Sequence, residues 1–307
     1  MHNLFWDGIV LEHGLVKKVF LPKREDCLEY LREVRWGGTV RCPYCGSSDI
    51  WVDGATCKGT KKYQCQSCYR YFNDLTGTVF DNHKFPLEEM FYIIKEMESK
   101  STSMIAMELD RDYESVLRFV HEVQGVACRH LSEFTLEGVI ELDETYPHAG
   151  NKGVKQRKPR KRGLRKRGRG TWKSDKPPVV TMVKREKNKV RFKVMRNLRN
   201  MKVKLSKLIS GKVILNTDEY TIYEGIADNV PEIVEHRVVN HGKGEWVRGD
   251  AHVNTCENRN QFLKAYLRRY RGVAKKYLQG YLDLLALLLN EKTKWFNLVI
   301  QSDYSPT

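Results

Sequence analysis

The chain has 307 residues, of which 41% are hydrophobic, and it carries a formal net charge of +16 with a pI near 9.4. This length and apolar content fit one large domain or two to three ordinary domains with a real core. The charge indicates a polyanionic partner, either nucleic acid or an anionic membrane surface. No stretch approaches the ~20 apolar residues of a membrane span, and acids among the first residues argue against a secretory signal.

The first predicted element is a short amphipathic helix over residues 23–34, with Cys27, Leu28 and Leu31 on one side. Cys27 is interpreted as a small buried hydrophobic residue rather than a metal ligand.

Two Cys-x-x-Cys pairs follow the helix, and 19 residues separate them. Cys42 and Cys45 form the first pair, and Cys65 and Cys68 form the second. Tetrahedral zinc needs four ligands, so two pairs at this spacing predict one structural Zn²⁺ in a reducing cytoplasm rather than disulfides. A redox role is the alternative for a single pair. Cys57, between the pairs, is the one rival ligand.

Three helices are predicted next, over 85–99, over the segment STSMIAMELD, and over 113–124. The tight turn before the last helix resembles a helix-turn-helix, while the alternative is a plain three-helix bundle. Arg118 and His121 are predicted to be exposed on the last helix, as candidates for contact with DNA.

The second half of the chain alternates strand and helix patterns. Strands are predicted at GVIELDETY, at the hairpin PPVVTMVKRE and KVRFKVMRNL, at GKVILNTDEY and at EHRVVNH. A mostly helical tail runs from about Asn254 to Phe296, with breaks near Gly272 and Gly280. This order predicts an α/β layered fold.

Two of these strands end on adjacent acids, Asp143 with Glu144 and Asp218 with Glu219. If the strands are central neighbours, Asp143 and Asp218 emerge side by side at one sheet edge. Clustered carboxylates repel each other, and Mg²⁺ removes that repulsion because it prefers hard oxygen ligands. An exposed strand end is the alternative for either acid alone.

A third carboxylate ligand is expected downstream, and Asp250 and Glu257 are the candidates. Glu257 begins an amphipathic helix, and Lys264 lies seven residues later on the same face. Asn254 and Glu257 also have the spacing of a capping box, which is a structural alternative that is compatible with metal binding.

The positive charge is concentrated in one segment. Residues 151–176 contain 13 Lys or Arg and one acid, so +12 of the net charge lies there. Blocks of like charge repel and rarely fold alone. We expect an exposed loop that follows DNA phosphates, with the candidate contacts Arg160, Lys161, Arg162, Arg165, Lys166 and Arg167. The alternative is a loop that only increases solubility.

Five segments together resemble a known family: RWGGTVRCPYCGS, YQCQSCYRYFNDLTGTVF, ELDETY, NTDEYTIY and HVNTCENRNQFLKAYLRRYRGV. They are similar to the zinc-ribbon DDE transposases of ISXO-like insertion sequences, relatives of the Merlin superfamily, over residues of about 23–290. The resemblance implies an RNase H-like catalytic domain whose acids are Asp143, Asp218 and Glu257. The lysine that lies seven residues after the glutamate in this family corresponds to Lys264. It also implies two Mg²⁺ (or Mn²⁺) ions.

The implied organisation is an N-terminal helix and zinc ribbon in 1–80, a helix-turn-helix in 81–130, and the catalytic domain in 131–307 with the basic loop 147–178. The implied partner is double-stranded DNA, at the element ends and at the target, bound by a homodimer or higher oligomer in the cytoplasm, at the nucleoid of a prokaryote.

The implied reaction is hydrolysis at the element ends, which frees 3′-hydroxyls that then attack target DNA. A non-catalytic DNA-binding regulator derived from a transposase is one alternative, and the intact acids argue against it. Another RNase H-like nuclease, such as a junction resolvase, is the second alternative. The ribbon and helix-turn-helix argue against that one, because a structure-selective nuclease needs less sequence reading.

Overall fold

The computed structural model describes residues 19–151 and 168–302, with only the backbone described at Asn200 and His241. The chain divides into two compact units, with boundaries after Val120 and after Val299. The six loop cations predicted to contact DNA lie outside the described residues: Arg160, Lys161, Arg162, Arg165, Lys166 and Arg167.

The first unit begins with the predicted amphipathic helix, α1 (Arg24–Trp36), in which Cys27, Leu28 and Leu31 are buried as predicted. A three-stranded antiparallel sheet follows, in the order β1 (Ile50–Ala55), β2 (Lys61–Cys65) and β3 (Tyr71–Asn73). Its inner face stacks Tyr63 on Phe72, with ring centroids 5.1 Å apart, against the edge of Trp36.

A buried carboxylate fixes this sheet to α1. Asp74 is fully buried and accepts two hydrogen bonds from the Arg32 guanidinium, at 3.0 and 2.7 Å. It also accepts from the Lys61 backbone N–H at 2.7 Å and from the Tyr63 hydroxyl at 2.9 Å. The charge is therefore paired and its oxygens are satisfied, as a buried carboxylate requires.

Three helices follow the ribbon: α2 (Leu87–Glu96), α3 (Thr102–Glu108) and α4 (Tyr113–Ser132). Only four residues join α3 to α4, and Asp110 in this link has a φ of 51°. Arg111 forks onto the buried carboxylate of Glu89 at 2.8 and 2.9 Å, which ties the link to α2. α4 extends beyond the predicted end at residue 124, because its apolar stripe continues through Val126, Ala127 and Leu131, and it crosses into the second unit.

The second unit is built on a mixed five-stranded sheet, whose strands are β4 (Leu136–Thr145), β6 (Val179–Lys184), β7 (Lys189–Val194), β8 (Ile209–Asp218) and β9 (Ile233–Val239). Their order across the sheet is β7-β6-β4-β8-β9. β4 pairs antiparallel with β6 and parallel with β8; β6 pairs antiparallel with β7, and β8 pairs parallel with β9. The predicted α/β class is confirmed.

Helices cover both faces of this sheet. α7 (Asn254–Arg269) and α8 (Leu278–Glu291) pack on one face, and the short α5 (Met201–Ser206) and α6 (Ile226–Asn229) pack on the other. β6 is buried on both faces: Val179 and Val183 join the core under α7 and α8, whereas Val180 and Met182 join the core over α5 and α6. The last described helix is α9 (Trp295–Gln301).

Of the two predicted breaks in the helical tail, one is confirmed and one is wrong. α7 ends at Arg269, and Gly272, which has a φ of 114°, leads into β10 (Val273–Ala274), which pairs in parallel with β5 (Ala149–Gly150). Gly280 instead lies within α8. A Cβ at that position would be 2.9 Å from Gln124 Oε1, so this glycine allows α4 and α8 to approach closely. None of the described helices is both long and apolar enough to cross a bilayer.

Candidate active site and zinc centre

The two acid-ended strands are neighbours at the centre of the sheet. β4 and β8 run parallel, and Glu141 pairs with Asn216. Two residues further along each strand lie Asp143 and Asp218, so their carboxylates emerge at the same sheet edge. This is the juxtaposition that the matching strand ends predicted.

The third carboxylate comes from the helix that packs on β4. Glu257 lies in the first turn of α7. One turn later, the buried Asn260 donates from Nδ2 to Asp143 Oδ2 at 2.7 Å, and its Oδ1 accepts from the Thr181 hydroxyl at 2.6 Å. This bridge fixes the helix that carries Glu257 to the strand that carries Asp143.

The electrostatics of the cluster fit a cation site. Burial raises the pKa of Asp143 to about 6, and the charges of Asp218 and Glu257 add to that increase. A buried acid beside two other acids is destabilised in its charged form, and a divalent cation with oxygen ligands removes that penalty.

A fourth acid, Glu144, lies near this cluster and is hydrogen-bonded to a tyrosine. Burial raises the pKa of Glu144 to about 7, and the hydroxyl of Tyr223 donates to Glu144 Oε2 at 2.5 Å. Tyr223 is itself buried in the core over α5 and α6. Of the adjacent pair, Asp143 therefore faces α7 whereas Glu144 is hydrogen-bonded to the opposite layer.

The four paired cysteines converge in the ribbon. Cys42 Sγ lies 3.7 Å from Cys68 Sγ, and Cys45 Sγ lies 3.5 Å from Cys65 Sγ. A tetrahedron with Zn–S bonds of ~2.3 Å separates its sulfurs by ~3.8 Å. Within residues 19–151 and 168–302, these thiols are the only group of three or more potential ligands whose atoms all lie within 4.8 Å of one another. The three carboxylates are spread more widely.

The backbone of the two cysteine turns has the same geometry. Gly46 and Tyr69, each following the second cysteine of a pair, have φ values of 75° and 57°. Their amides donate to the carbonyls of Cys42 and Cys65, both at 2.9 Å. Cys57 is exposed and is not part of the group, so the rival ligand is excluded. The cluster supports one structural zinc ion.

Comparison with known proteins decides the family. The model of the ISXO2-like transposase domain matches residues 135–287, and that of the transposase zinc-ribbon domain matches residues 22–70. A Halobacterium salinarum protein, described as an uncharacterized protein in transposable element ISH50, is 32% identical over 276 residues, which cover 88% of this chain and 92% of that protein. The chain belongs to the ISXO2-like transposase family. The resemblance drawn from the five segments is thus confirmed.

Two solved structures show a small likeness to this transposase. The Mos1 strand transfer complex has a TM-score of 0.27 at 11% identity and covers 71% of this chain and 78% of that chain. The Mos1 paired-end complex with the left transposon end has a TM-score of 0.20 at 11% identity and covers 70% and 79%. A likeness of this size supports no argument about fold or mechanism.

The transposase contains a buried acid that the sequence analysis missed. Glu141 is fully buried, and it accepts hydrogen bonds from the N–H groups of Thr255 and Cys256 at 2.8 and 3.1 Å and from the Arg185 guanidinium at 2.9 Å. It therefore caps the N-terminus of α7 from β4. The capping box considered for Asn254 and Glu257 does not form. The N-cap residue of α7 is Val253, whose side chain cannot cap the helix. The sequence did contain a signal for this contact. Side chains alternate between the faces of a strand, so Glu141 lies on the same face of β4 as Asp143.

We expect Glu141→Gln to lower the free energy of unfolding by roughly 3–5 kcal/mol, because it removes one partner of a buried ion pair and a helix cap. Urea denaturation measures the change. Glu235→Gln is the matched control, since that acid forms an exposed pair with Arg237, and its loss is expected to change the free energy of unfolding little. Equal losses in the two variants would contradict the capping role.

Asp250 and Glu257 occupy different surroundings in this transposase. Asp250 is exposed and lines a shallow pocket of about 460 Å³ beside β9, together with Arg237 and Arg248. Its charge raises the pKa of Arg237, whereas Glu257 raises that of Asp143. The geometry thus favours Glu257 over Asp250 as the third acid. Lys264 is exposed two turns further along α7.

One of the two predicted DNA contacts on α4 has a different environment from the one expected. Arg118 is exposed, and its Nη2 donates to Ser115 Oγ at 3.3 Å. His121 was predicted to be exposed, and this is wrong. Its ring stacks on Tyr277 with centroids 4.3 Å apart and meets the edge of Tyr281, and burial lowers its pKa. The reason is that this part of α4 packs on the start of α8, where Tyr277 and Tyr281 lie.

Proposed function

We propose that this transposase cleaves the ends of its element and joins the freed 3′-hydroxyls to target DNA by metal-dependent phosphoryl transfer. The observation that carries the proposal is the meeting of Asp143, Asp218 and Glu257 at one sheet edge, where the carboxylates repel one another. A site of this kind gains most from divalent metal ions.

In this proposal Asp143 and Asp218 bind the metal from adjacent strand ends, and Glu257 completes the site from α7. Two Mg²⁺ or Mn²⁺ ions held there would activate the attacking water or 3′-hydroxyl and stabilise the leaving oxygen. Lys264 binds DNA near the scissile phosphate and does not act as a base, because a lysine beside phosphate stays charged. The strand order, with antiparallel β7-β6-β4 joined to parallel β4-β8-β9, supports the RNase H-like fold that the resemblance implies.

The DNA-reading part of the proposal rests on the first unit. α3 and α4 with their four-residue link support a helix-turn-helix, and the zinc ribbon precedes it. We retain the proposed division into 1–80, 81–130 and 131–307, and we propose double-stranded DNA as the partner. The net charge of +16 supports that partner.

The test is cleavage of duplex DNA that carries the inverted repeats flanking the coding sequence. We expect strand cuts that leave 3′-hydroxyls at the element ends, only when Mg²⁺ or Mn²⁺ is added. Specific binding of these ends with no cleavage under any metal condition would instead favour the regulator, and cleavage that depends on branched DNA rather than on the end sequence would favour a junction nuclease.

The basic segment is expected to dominate the salt dependence of DNA binding. Each neutralised phosphate contributes about −0.9 to the slope of log K against log[salt] on duplex DNA. Replacing Arg160, Lys161, Arg162, Arg165, Lys166 and Arg167 with serine is therefore expected to flatten the slope by several units, measured by fluorescence anisotropy. An unchanged slope would mean that the segment does not contact DNA.

Arg118 is proposed to contact a base edge in a major groove at the element ends, since arginine bonds guanine through both O6 and N7. We expect Arg118→Ala to weaken binding to end DNA by roughly 1–3 kcal/mol and to leave binding to random DNA nearly unchanged. Footprinting with both DNAs measures the difference. Equal loss on the two would reduce Arg118 to a phosphate contact.

A further inference from the structure

A cleft of about 870 Å³ lies in the second unit, between the segment that follows β4 and the second half of α7. One wall is the segment that leaves β4, from Tyr146 to Gly150, and the other is the second half of α7 with the turn that follows it. The parallel pairing of β5 with β10 joins the two walls. The volume lies within the ~300–1,000 Å³ typical of small-ligand sites.

The lining combines apolar surface with positive charge. Pro147, Leu267 and Val273 contribute buried apolar walls, and Tyr146 is half-buried at the start of the cleft. The cations Lys264, Arg268 and Arg271 are all exposed, as is His148, and the lining residues within the described part of the chain include no acid. A ligand that satisfies both features has a flat apolar body and negative charge, which is the chemistry of a nucleotide.

The distance between the cleft and the carboxylates allows one DNA strand to reach both. Tyr146 follows Asp143 by three residues, or ~10 Å of extended chain. Lys264 follows Glu257 by seven residues, or ~10 Å along the helix axis. At ~3.4 Å per base step, this corresponds to about three nucleotides from a phosphate held at the acids.

We propose that the cleft binds an unstacked nucleotide of the cleaved strand, with its base against Tyr146 and Pro147 and its neighbouring phosphates on Arg268 and Arg271. This proposal rests on the proposed function, since it requires DNA at the carboxylates. Stacking on the tyrosine ring offsets the cost of removing the base from the duplex, and the cations hold the displaced backbone.

The experiment compares two fluorescein-labelled duplexes with the full chain, zinc-loaded and without added Mg²⁺. One duplex has a three-nucleotide thymidine overhang, placed at either the 3′ or the 5′ end. The other has three abasic residues at the same place, so that both carry the same phosphates. We expect about tenfold tighter binding of the thymidine probe at one of the two ends, because only that probe can stack.

The variants separate base stacking from phosphate binding. Tyr146→Leu is expected to remove the preference for thymidine over abasic residues, whereas Tyr146→Phe keeps it. Arg268→Ala and Arg271→Ala are expected to weaken binding of both probes several-fold, and more than Lys276→Ala, which removes an equally exposed cation outside the cleft lining.

Equal affinity of the wild-type chain for thymidine and abasic probes at both ends overturns the cleft proposal and leaves the proposed function standing. A preference that survives Tyr146→Leu overturns it as well. Failure to bind any of the duplexes contradicts the proposed function itself. Because cleavage is never measured here, a loss of catalysis does not affect the outcome.

Discussion

Glu257→Gln, Asp143→Asn and Asp218→Asn are each expected to reduce metal-dependent strand cleavage to undetectable levels while leaving DNA binding intact or stronger. Each change keeps the shape of the side chain and removes a ligand charge, so the metal ions lose their site. Removing negative charge near DNA also reduces repulsion of phosphate. Cleavage of labelled end DNA in Mg²⁺, alongside binding in its absence, measures both effects.

Thermal unfolding of each variant tests whether it remains folded. Because burial raises the pKa of Asp143, its ionised form at neutral pH lowers the stability of the metal-free folded protein. Asp143→Asn removes that charge but keeps only one acceptor for the two N–H donors of the carboxylate, the Glu144 backbone and Asn260 Nδ2, so it is expected to unfold near the wild-type temperature without metal. If Asp143→Asn unfolds at a much lower temperature than the wild type, its loss of cleavage does not test the catalytic role. The test then rests on Asp218→Asn and Glu257→Gln.

Two further variants act as controls for this result. Asp250→Asn is expected to cleave nearly normally, because Asp250 is exposed beside β9 rather than beside Asp143. Lys264→Ala is expected to weaken binding of the ends and to reduce cleavage without abolishing it. An active Glu257→Gln protein together with an inactive Asp250→Asn protein would move the third ligand seven residues upstream.

Loss of zinc is expected to have the largest effect on stability. Structural zinc contributes ~10–16 kcal/mol of apparent binding free energy in small domains, which exceeds what a three-stranded sheet gains from its own core. Cys65→Ser and Cys68→Ser are each expected to abolish stoichiometric zinc binding and to unfold the ribbon. Elemental analysis of the purified protein and limited proteolysis of the ribbon measure the two consequences.

Cys57→Ser is the matched control, because Cys57 lies in the same ribbon but is exposed and outside the cysteine group. It is expected to retain one zinc per chain. A zinc content that stays the same in Cys65→Ser and Cys68→Ser would contradict the assignment of the ligands.

The features that the sequence predicts well depend on local patterns. The zinc ligands follow from two repeated cysteine turns, each of which is complete within a few residues. The adjacency of Asp143 and Asp218 follows from two matching strand ends, because the carboxyl ends of parallel neighbours meet at one edge. In both cases the residues that form the site lie in short sequence motifs.

The features that the sequence does not predict depend on which elements pack together. Glu141 and Asn260 hold β4 to α7, and neither role is visible until that contact is known. Gly280 was interpreted as a break because glycine disfavours helices, but its small size is needed against Gln124. His121 is polar, so its position in the helix pattern predicted exposure. Its packing on Tyr277 becomes visible only when the contact between α4 and α8 is known.

The central claim is that Asp143, Asp218 and Glu257 together bind the catalytic metal ions. Anomalous X-ray scattering from manganese in crystals of the wild-type chain with end DNA tests it most directly. The account predicts two manganese peaks, separated by ~3.5–4 Å and coordinated by these three carboxylates. Manganese bound elsewhere, for example at Asp250 and Glu235, with no peak beside Asp143, would contradict it.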